Sequence, residues 1–506
     1  MRRGFQLVQE MTWYYGWSGQ DRSMWLEDRE EEKQMDARLA RLNEWFAAEG
    51  GLGFVEVRRD DYSGRCGVYA TTAIEAGAPY VVVPRHLLMD RGAAMASADG
   101  AAYARGEAAV DALTNAPASP SWMASTITLC TRLAVERSRG ADSPMAPYVD
   151  ALPRSFAAHP LLWRNRTGDA ALRGTYLLDC IKTQRTSLRT FVALARACRD
   201  GALPPLSRGD LAWSYLCWMT RCIGVVGAAA DGQTAWAFVP VVDMTNCAWS
   251  PHAACTRTLW DGRSGKRGAA VMRTPCELAE GAQVFENYGW SNFDYAVAHG
   301  FMLPFGACPK DCLIARPRPV DVDAVAGPLV VVALGHPPQE ERIFGPPRAE
   351  WRPRLNRSIQ LMRLKAAPET PADRADDEEA ETLWAAGKNA SLVVALALEL
   401  PTAALRRAAK AAGPEPTLEA VEAALFAVAT PPPLARAWRV LADIAAGVGR
   451  EYEAAAARDE AADADDAEAT LARAWRDDAI KLAVEVEATY REEARRLDAE
   501  DPPEYR

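Results

Sequence analysis

The chain has 506 residues, which is too long for a single hydrophobic core, so we expect two or three domains. Hydrophobic residues make up 49% and charged residues 25%, an ordinary balance for a globular protein. The formal net charge of -10 argues against binding to nucleic acid or to an anionic membrane, and it favours basic protein partners. No apolar run is long enough to cross a bilayer, so we expect no membrane span.

The first 26 residues contain no apolar segment followed by a cleavage site, so they predict an extension rather than a secretory signal. The 11 cysteines lack paired spacing, which indicates reduced thiols in a reducing compartment. Cys308 and Cys312 have no second pair with ligand spacing, and we expect no metal site. We expect a monomer in the cytoplasm, with a plastid or nuclear location left open.

In chain order, an amphipathic helix and a strand–turn–strand unit are predicted first. The helix covers 27–48, with leucines and aromatic residues on one face and a glycine pair at its end. The strands cover 67–72 and 79–83, joined by a turn at 75–77. The second strand carries four successive apolar residues, which indicates full burial.

A helical block separates this unit from the next strands. The stretch 91–119 is rich in Ala, Gly and Ser and predicts a loop or weak helix. Helical periodicity covers 122–137, 176–197 and 208–223. Together these predict a mainly helical block over 95–230, which is itself the size of a domain.

Two apolar strands then end in turns that present polar groups. The first is predicted over 238–242 and closes at 243–247, with the sequence DMTNC. The second is predicted over 283–287 and closes at Tyr288-Gly289. The two turns bear an aspartate, an amide and a phenol, and they are the polar features around which we expect the chain to be organised.

A capped helix is predicted after the second turn. Ser291 is the expected N-cap, Asp294 completes a capping box, and Gly300 ends the helix. Beyond it, apolar residues predict a strand pair at 313–315 and 328–334.

The rest of the chain is predicted to be helical. A proline-rich linker covers 337–353, three successive prolines at 431–433 predict a break, and the last helix covers 466–497. We therefore expect an all-α domain over 311–506.

Five segments of the chain resemble those of SET-domain protein methyltransferases of the Rubisco large-subunit methyltransferase type, in the same order. They are EGGLGFVEVRRDDYSGRCGVYATTAIEAGAPYVVVP, SPMAPYVDALP, WMTR, FVPVVDMTNC and ENYGWSNFDYAVAHGF. The resemblance covers about residues 40 to 305 and implies an α+β fold. In that fold, a small twisted sheet carries the Asn-containing and Tyr-containing segments packed together as a pseudoknot.

The resemblance also implies a domain organisation. The SET domain would cover 27–310, with 95–230 as its helical insert. The helical domain over 311–506 would bind a protein substrate.

By resemblance, the expected activity is transfer of a methyl group from S-adenosyl-L-methionine to a protein lysine. Such a transfer needs no nucleophilic side chain, but it needs the amine, methyl and sulfur held in line and the amine neutral. Tyr288 matches the catalytic tyrosine of the family; by itself it would read as a strand-end tyrosine before a turn glycine.

The resemblance also implies which residues hold the cofactor. Asn246 matches the family asparagine, but Cys247 stands where the family has histidine, so only a backbone role survives there. Without the family context, Asn246 reads equally well as a local turn residue. The alternative for Arg221, a helix-end arginine that meets the helix dipole, is the less favoured reading. The full cofactor set is Arg221, Asn246, Cys247, Gly67, Tyr69, Gly300 and Phe301. Gly300 and Phe301 also read as a helix cap followed by a core residue.

The expected substrate-facing residues are Asp243, Ile223 and His299. Asp243 reads nearly as well as a turn cap, and His299 as an exposed helix-end residue. An actin-histidine branch of the family has asparagine where this chain has Ile223, and tryptophan where it has Val242. An apolar wall suits the aliphatic stem of lysine, so lysine is the predicted acceptor.

Two alternatives stay open. The first is a protein-histidine methyltransferase of the actin type. The second is a catalytically lapsed SET-like protein that acts as an interaction module, an alternative that Cys247 favours and that Tyr288, Arg221 and Asn246 oppose.

Overall fold

A computed structural model describes most of the sheet-bearing part of the chain and two long C-terminal helices. The described residues are 29–60, 65–114, 122–156, 158–163, 167–226, 228, 234–248, 259–261, 268–303, 312–314, 360–362, 404, 407–408, 411, 429, 431–459 and 467–500. The predicted extension 1–26, the strand at 328–334 and the linker 337–353 lie outside them. None of the helices in these ranges combines the length and apolar character that crossing a bilayer requires.

The chain divides into two compact units. The first, which we call the sheet unit, comprises the described residues of Met1–Leu162, Lys182–Gly289 and Ala298–Leu303. The second, the helical unit, comprises those of Trp163–Ile181, Trp290–Val297 and Pro304–Arg506.

Strands and helices are numbered in chain order. The strands are β1 Leu52–Gly53, β2 Val55–Arg59, β3 Cys66–Ala70, β4 Pro79–Pro84, β5 Met89–Asp90, β6 Ile223–Val225, β7 Ala235–Phe238, β8 Asn246–Cys247, β9 Leu259–Asp261, β10 Ala269–Arg273, β11 Gln283–Glu286, β12 Cys312–Ile314 and β13 Gln360–Met362. The helices are α1 Arg29–Ala48, α2 Arg91–Met95, α3 Gly100–Thr114, α4 Trp122–Arg139, α5 Ala146–Ala151, α6 Thr167–Ala171, α7 Tyr176–Cys198, α8 Arg208–Arg221, α9 Asn292–Asp294, α10 Pro431–Ala457 and α11 Ala467–Glu500.

The described strands of the sheet unit form three small sheets, with orders β1-β4-β10-β9, β2-β3-β11-β8 and β5-β7-β6. All pairings within them are antiparallel except that of β8 with β11, which is parallel. The core between these sheets includes Tyr80, Leu88, Met89 and Phe238, none of which exposes measurable surface. Asn43 of α1 exchanges two hydrogen bonds with the backbone of Val57, at 2.9 and 3.0 Å, and these bonds connect the first helix to β2.

The α+β fold class is confirmed, and several predicted boundaries need correction. The strand predicted over 238–242 ends at Phe238, because Pro240 cannot donate to a ladder and Val241 has a φ of 72°. A single 3₁₀ turn, Val242–Met244, follows it. The helix predicted over 208–223 ends at Arg221, because Cys222 has extended backbone angles that lead into β6.

The stretch 91–119, predicted as a loop or weak helix, contains the helices α2 and α3. Asp90 caps α2 by accepting a hydrogen bond from the backbone N–H of Ala93 at 2.6 Å. Arg91 then pairs with Glu107 of α3 at 2.7 Å. The cap and the ion pair stabilise helices that intrinsic propensity alone leaves weak.

Two more predictions are corrected further along the chain, and a third is confirmed in part. The Ser291 hydroxyl caps α9 by accepting from the Asp294 N–H, but the Asp294 carboxylate bonds that hydroxyl rather than the backbone, and the chain continues as a π-helix, Tyr295–His299. The prolines at 431–433 open α10 instead of breaking the chain, because first-turn N–H groups need no helical partner. The strand near 313 is confirmed as β12, but it pairs with β13, and the partner predicted at 328–334 lies outside the described residues.

Within the helical unit, long helices α10 and α11 carry most of the described structure. Trp475 of α11 stacks on Trp163 at 5.9 Å between ring centroids. Asp459 accepts from Arg473 at 3.2 Å and from Arg476 at 2.9 Å, and its side chain is almost fully buried. A shared carboxylate thus fixes two arginines of α11 against the end of α10.

Candidate active site

Strands β8 and β11 bring the two polar turns side by side. Their parallel register pairs Phe285 with Asn246 and Glu286 with Cys247, and the N–H of Ala248 donates to the carbonyl of Glu286 at 3.0 Å. Two segments separated by roughly forty residues therefore lie in adjacent strands. The turn that precedes β8 and the residues that follow β11 therefore lie close together, and this is where the polar side chains converge.

Tyr288 lies just beyond β11 and contacts the turn before β8. Its hydroxyl donates to the carbonyl of Thr245 at 2.7 Å, directly beside Asn246. The ring packs with His299 and Phe301, at centroid distances of 5.3 and 6.2 Å. Burial raises the pKa of the Tyr288 phenol, and Cys247 and Glu286 add to the shift, so the group is a neutral donor.

His299 completes a three-ring cluster with Tyr288 and Phe301, its ring centroid 5.7 Å from that of Phe301. Burial lowers the pKa of His299 to about 4, with smaller contributions from His159 and Arg221, so its imidazole is uncharged at neutral pH. Gly300 lies between these rings with a φ of 75°, and a Cβ there would meet both His159 and Pro160 at 3.1 Å. Only glycine fits this position without strain.

Arg221 is the last residue of α8 and reaches the turn before β8. Its Nη1 donates to the carbonyl of Asp243 at 2.7 Å and lies 3.3 Å from Sδ of Met244. Its Nε is buried and has no hydrogen-bond partner in the part of the chain that the structure describes. A buried guanidinium N–H without a partner is a position where an anionic ligand group would be stabilised.

Asp243 is 6% exposed, and its carboxylate has an unusual environment. The Tyr148 hydroxyl donates to Oδ2, whereas Oδ1 has no partner among the described residues. Burial raises the pKa of Asp243 to about 7, against the opposing effects of Arg221 and Tyr148. The group therefore changes charge near neutrality, which is typical of functional sites.

The turn that carries Asp243 begins in strained backbone. Val241 has φ 72° and ψ -49°, which is close to a classic γ-turn, and among the described non-glycine residues it alone has a positive φ. A β-branched residue in this region costs about 1–3 kcal/mol. Strain of this kind persists only where surrounding contacts hold it, and it clusters at functional sites.

Asn246 and Gly67 bring β3 into the site. The Asn246 side chain donates from Nδ2 to the carbonyl of Cys66 at 3.0 Å. A Cβ at Gly67 would lie 3.1 Å from that same Nδ2 and would overlap the side-chain amide of Gln283. The backbone at Gly67 and the amide of Asn246 are therefore in close contact.

The remaining predicted site residues have other neighbours. Tyr69 follows in β3, but the Arg58 guanidinium lies over its ring at 3.8 Å. Ile223 begins β6 and pairs with Ala237. Cys247 is half-buried and joins the site through its backbone pairing in β8.

Sequence reasoning did not single out Tyr148, Thr245 or His159. Tyr148 lies in the quoted SPMAPYVDALP segment, so a signal existed, but its partner is 95 residues away. His159 accepts from the N–H of Leu161 at Nδ1, at 3.2 Å, so Nε2 is the nitrogen that donates to the carbonyl of Ala298, at 3.1 Å. Nothing in the sequence marks that long-range bond.

The parallel pairing of β8 with β11 and the long insert between the early and late strands are features of a SET-domain fold, and solved structures similar to the chain have this fold. The SET domain of LSMT bound to lysine and AdoHcy has a TM-score of 0.56 at 14% identity, covering 92% of this chain and 93% of that one. Rubisco LSMT bound to AdoMet has a TM-score of 0.53 at 14% identity, covering 91% and 93%.

Sequence comparison adds one curated relative. The ribosomal lysine N-methyltransferase set10 of Schizosaccharomyces pombe is 24% identical over 179 residues, which are 35% of this chain and 31% of that protein. The matched segment thus spans about a third of the relative's length. No protein-family profile matches the chain.

Proposed function

We propose that this chain is an S-adenosylmethionine-dependent protein-lysine N-methyltransferase. The observation that carries the proposal is the hydrogen bond from the Tyr288 hydroxyl to the Thr245 carbonyl, because it joins the phenol to the loop that bears Asn246. The SET fold supports it, as do the cofactor and lysine bound in structural neighbours and the lysine methyltransferase activity in the name of the curated relative.

The residues present fit S-adenosylmethionine. The cofactor would supply an activated methyl group on a sulfonium. Asn246 and the backbone of Cys247 would hold its adenosine part beside Gly67, whose missing Cβ lets the side-chain amides of Asn246 and Gln283 pack against the backbone of β3. The unpartnered Nε of Arg221 would bind its carboxylate.

The chain's own groups would orient the acceptor and keep it neutral. A free lysine has a pKa of about 10.4, and transfer into a desolvated site lowers it. No anionic tyrosine opposes this, because the phenol of Tyr288 stays protonated. Tyr288, His299 and Phe301 offer uncharged ring surfaces to the aliphatic stem, and the Tyr288 oxygen can accept from the amine.

An apolar wall favours lysine over histidine as the acceptor. Val242 is fully buried next to Asp243, and Ile223 follows Arg221 by two residues, so neither position offers an amide to bind an imidazole nitrogen. The predicted cofactor residues Tyr69, Gly300 and Phe301 and the substrate residues Asp243, Ile223 and His299 are part of this proposal.

A protein substrate would be bound partly by the helical domain over 311–506, following the predicted organisation of a SET domain over 27–310 with its insert at 95–230. The net charge of -10 favours a basic target segment. A cytoplasmic monomer remains the expected state.

The decisive test is transfer of a labelled methyl group from S-adenosylmethionine to the proteins of a cell extract, with ribosomal and Rubisco-containing fractions assayed separately. The labelled residue is then identified by mass spectrometry, and cofactor binding is measured by calorimetry. Label on lysine is the expected result. Label on histidine would show that the acceptor is histidine and not lysine. Absence of both methyl transfer and calorimetric binding of S-adenosylmethionine would favour the interaction-module alternative.

A further inference from the structure

The turn Val242–Met244 is the common support of the two groups proposed to act on cofactor and substrate. Arg221 donates to the Asp243 carbonyl, and Tyr288 donates to the Thr245 carbonyl, both at 2.7 Å. Two acceptors two residues apart therefore set the positions of the guanidinium and the phenol. Any shift of this turn moves both groups together.

The turn does not hold itself in place. Its backbone bonds run from Asp243 to Val239, from Met244 to Val241 and from Thr245 to Val242, so all of them are local. The positive φ of Val241 favours relaxation to an ordinary conformation, because β-branched residues rarely adopt it. A contact from outside the turn is needed to oppose that strain.

In addition to the bonds from Arg221 and Tyr288, the buried bond from Tyr148 of α5 to the carboxylate of Asp243 supplies such a contact. Neither side chain exposes more than 6% of its surface, and α5 also contributes Val149 and Ala151 to the core. Helix α5 is therefore held in place by the core, and the Tyr148 hydroxyl restrains the turn from it. A hydrogen bond to a charged group contributes about 1.5–3 kcal/mol, comparable to the strain.

We propose that Tyr148 is a positioning residue of the methyl-transfer site, which acts by holding the Asp243 turn in the register that places Arg221 and Tyr288. This inference rests on the proposed function for its catalytic readout. Tyr148 does not touch the rings of the site and acts only through Asp243.

The charge of Asp243 should govern the strength of this restraint. The titratable groups that face it are Arg221 and Cys217 of α8, Cys222 after α8, Tyr148 of α5 and Tyr288 after β11. Burial raises the pKa of both thiols and both phenols, so Arg221 is the charged one among them at neutral pH. An ionised carboxylate accepts from Tyr148 more strongly than a protonated one, so the restraint strengthens as pH rises through about 7.

The test compares Tyr148→Phe with Tyr103→Phe in the full-length protein. Tyr103 is an equally buried tyrosine of the insert whose hydroxyl has no hydrogen-bond partner among the described residues. Methyl transfer to extract proteins should fall roughly ten- to a hundredfold in Tyr148→Phe and stay unchanged in Tyr103→Phe. The acid limb of the pH–rate profile should also move to higher pH, because the lost bond had lowered the Asp243 pKa. Wild-type rates with an unmoved acid limb in Tyr148→Phe would overturn the proposal.

A double mutant with Val241→Gly distinguishes a specific restraint on the turn from a general loss of stability. Glycine adopts positive φ without strain, so Tyr148→Phe should cost several-fold less rate in a Val241→Gly background than in the wild type. An equal cost in both backgrounds would show that Tyr148 does not act through the turn.

Hydrogen exchange gives a readout that needs no activity. The amides of Asp243, Met244 and Thr245 should exchange faster in Tyr148→Phe, and those in the middle of α8 should not. If the wild type transfers no methyl group and binds no S-adenosylmethionine, the proposed function fails and exchange alone decides whether Tyr148 holds the turn. Unchanged exchange at all three amides would overturn the inference, even if the enzyme is active.

Discussion

Two buried aspartates of the sheet unit, Asp90 and Asp243, have opposite environments. Asp90 accepts from Arg85 at 2.7 Å and from the N–H of Ala93 at 2.6 Å, so a cation and a helix N-terminus both satisfy it. Asp243 has one phenol partner, an oxygen without a partner among the described residues, and a pKa raised by burial to about 7. The environment of Asp90 is that of a structural carboxylate. The environment of Asp243 lowers the stability of the fold and is expected where function requires it.

The contrast teaches that burial alone does not identify the site. Both carboxylates are at most 6% exposed, and Asp90 in β5 pairs with Ala237 of β7, only a few residues before Asp243 in the chain. What separates them is hydrogen-bond satisfaction and backbone strain, since the turn before Asp243 includes the positive φ of Val241. Changes around Asp243 should therefore affect catalysis more than stability, and changes around Asp90 should do the reverse.

The largest expected effect is on catalysis at Tyr288. Tyr288→Phe removes the hydroxyl that bonds Thr245 and leaves the ring packed on His299 and Phe301. We expect methyl transfer to fall roughly a hundred- to a thousandfold, as for loss of one aligned polar group, with calorimetric affinity for S-adenosylmethionine unchanged. Turnover equal to the wild type would remove Tyr288 from the mechanism.

The next effect tests the structural carboxylate. Asp90→Ala removes the α2 cap and the ion pair with Arg85, so the free energy of unfolding should fall by about 2–3 kcal/mol. Asp90→Asn keeps a capping oxygen and should lose less. Urea denaturation measures both, and methyl transfer per folded molecule should stay constant. A loss of turnover larger than the loss of folded protein would contradict the assignment of a structural role to Asp90 and a functional role to Asp243.

A smaller effect concerns the pH dependence of stability at Asp243. Because burial raises its folded pKa above the unfolded value near 3.8, the folded state binds a proton that the unfolded state has lost. The resulting stabilisation is complete below the unfolded pKa and disappears as pH rises to about 7. Compared with Asp243→Asn, the wild type should lose about 2 kcal/mol of unfolding free energy between pH 5 and pH 7.

The uncharged variant provides the control for this measurement. Asn at position 243 still accepts from Tyr148, and the buried histidines titrate equally in both proteins, so their effects cancel in the difference. A difference that stays constant between pH 5 and pH 7 would show that Asp243 is ionised throughout that range.

Much of this site could be predicted from sequence because its parts lie at the ends of apolar strands. The strand before Tyr288 and the polar DMTNC turn are readable from local pattern, and the order of segments implied that they meet. The bond from Tyr148 to Asp243 could not be read in this way, because it joins a helix of the insert to a turn 95 residues later.

Local pattern also predicts the wrong end for the strand before Asp243, for a related reason. Val239, Val241 and Val242 have high strand propensity, and that pattern predicts a strand to 242. In the structure, Pro240 and the tertiary contacts of Asp243 override the propensity, and Val241 adopts a positive φ that β-branched residues rarely occupy. Local pattern locates the element, while long-range contacts decide the strained backbone within it.

The smallest expected effect concerns Tyr69, which borders the site without joining the ring cluster. The guanidinium of Arg58 lies 3.8 Å from the centroid of its ring, and Arg58 is about a third exposed, so the contact is worth less than about 1 kcal/mol. Arg58→Ala should lower stability by no more than that. If Tyr69 serves the cofactor only through the backbone of β3, calorimetric affinity for S-adenosylmethionine should be unchanged in Arg58→Ala. A weaker affinity would instead mean that the orientation of the Tyr69 ring matters, because the Arg58 guanidinium packs on that ring. The cofactor site would then extend from the turn that carries Asp243 to the side chain of Tyr69 in β3.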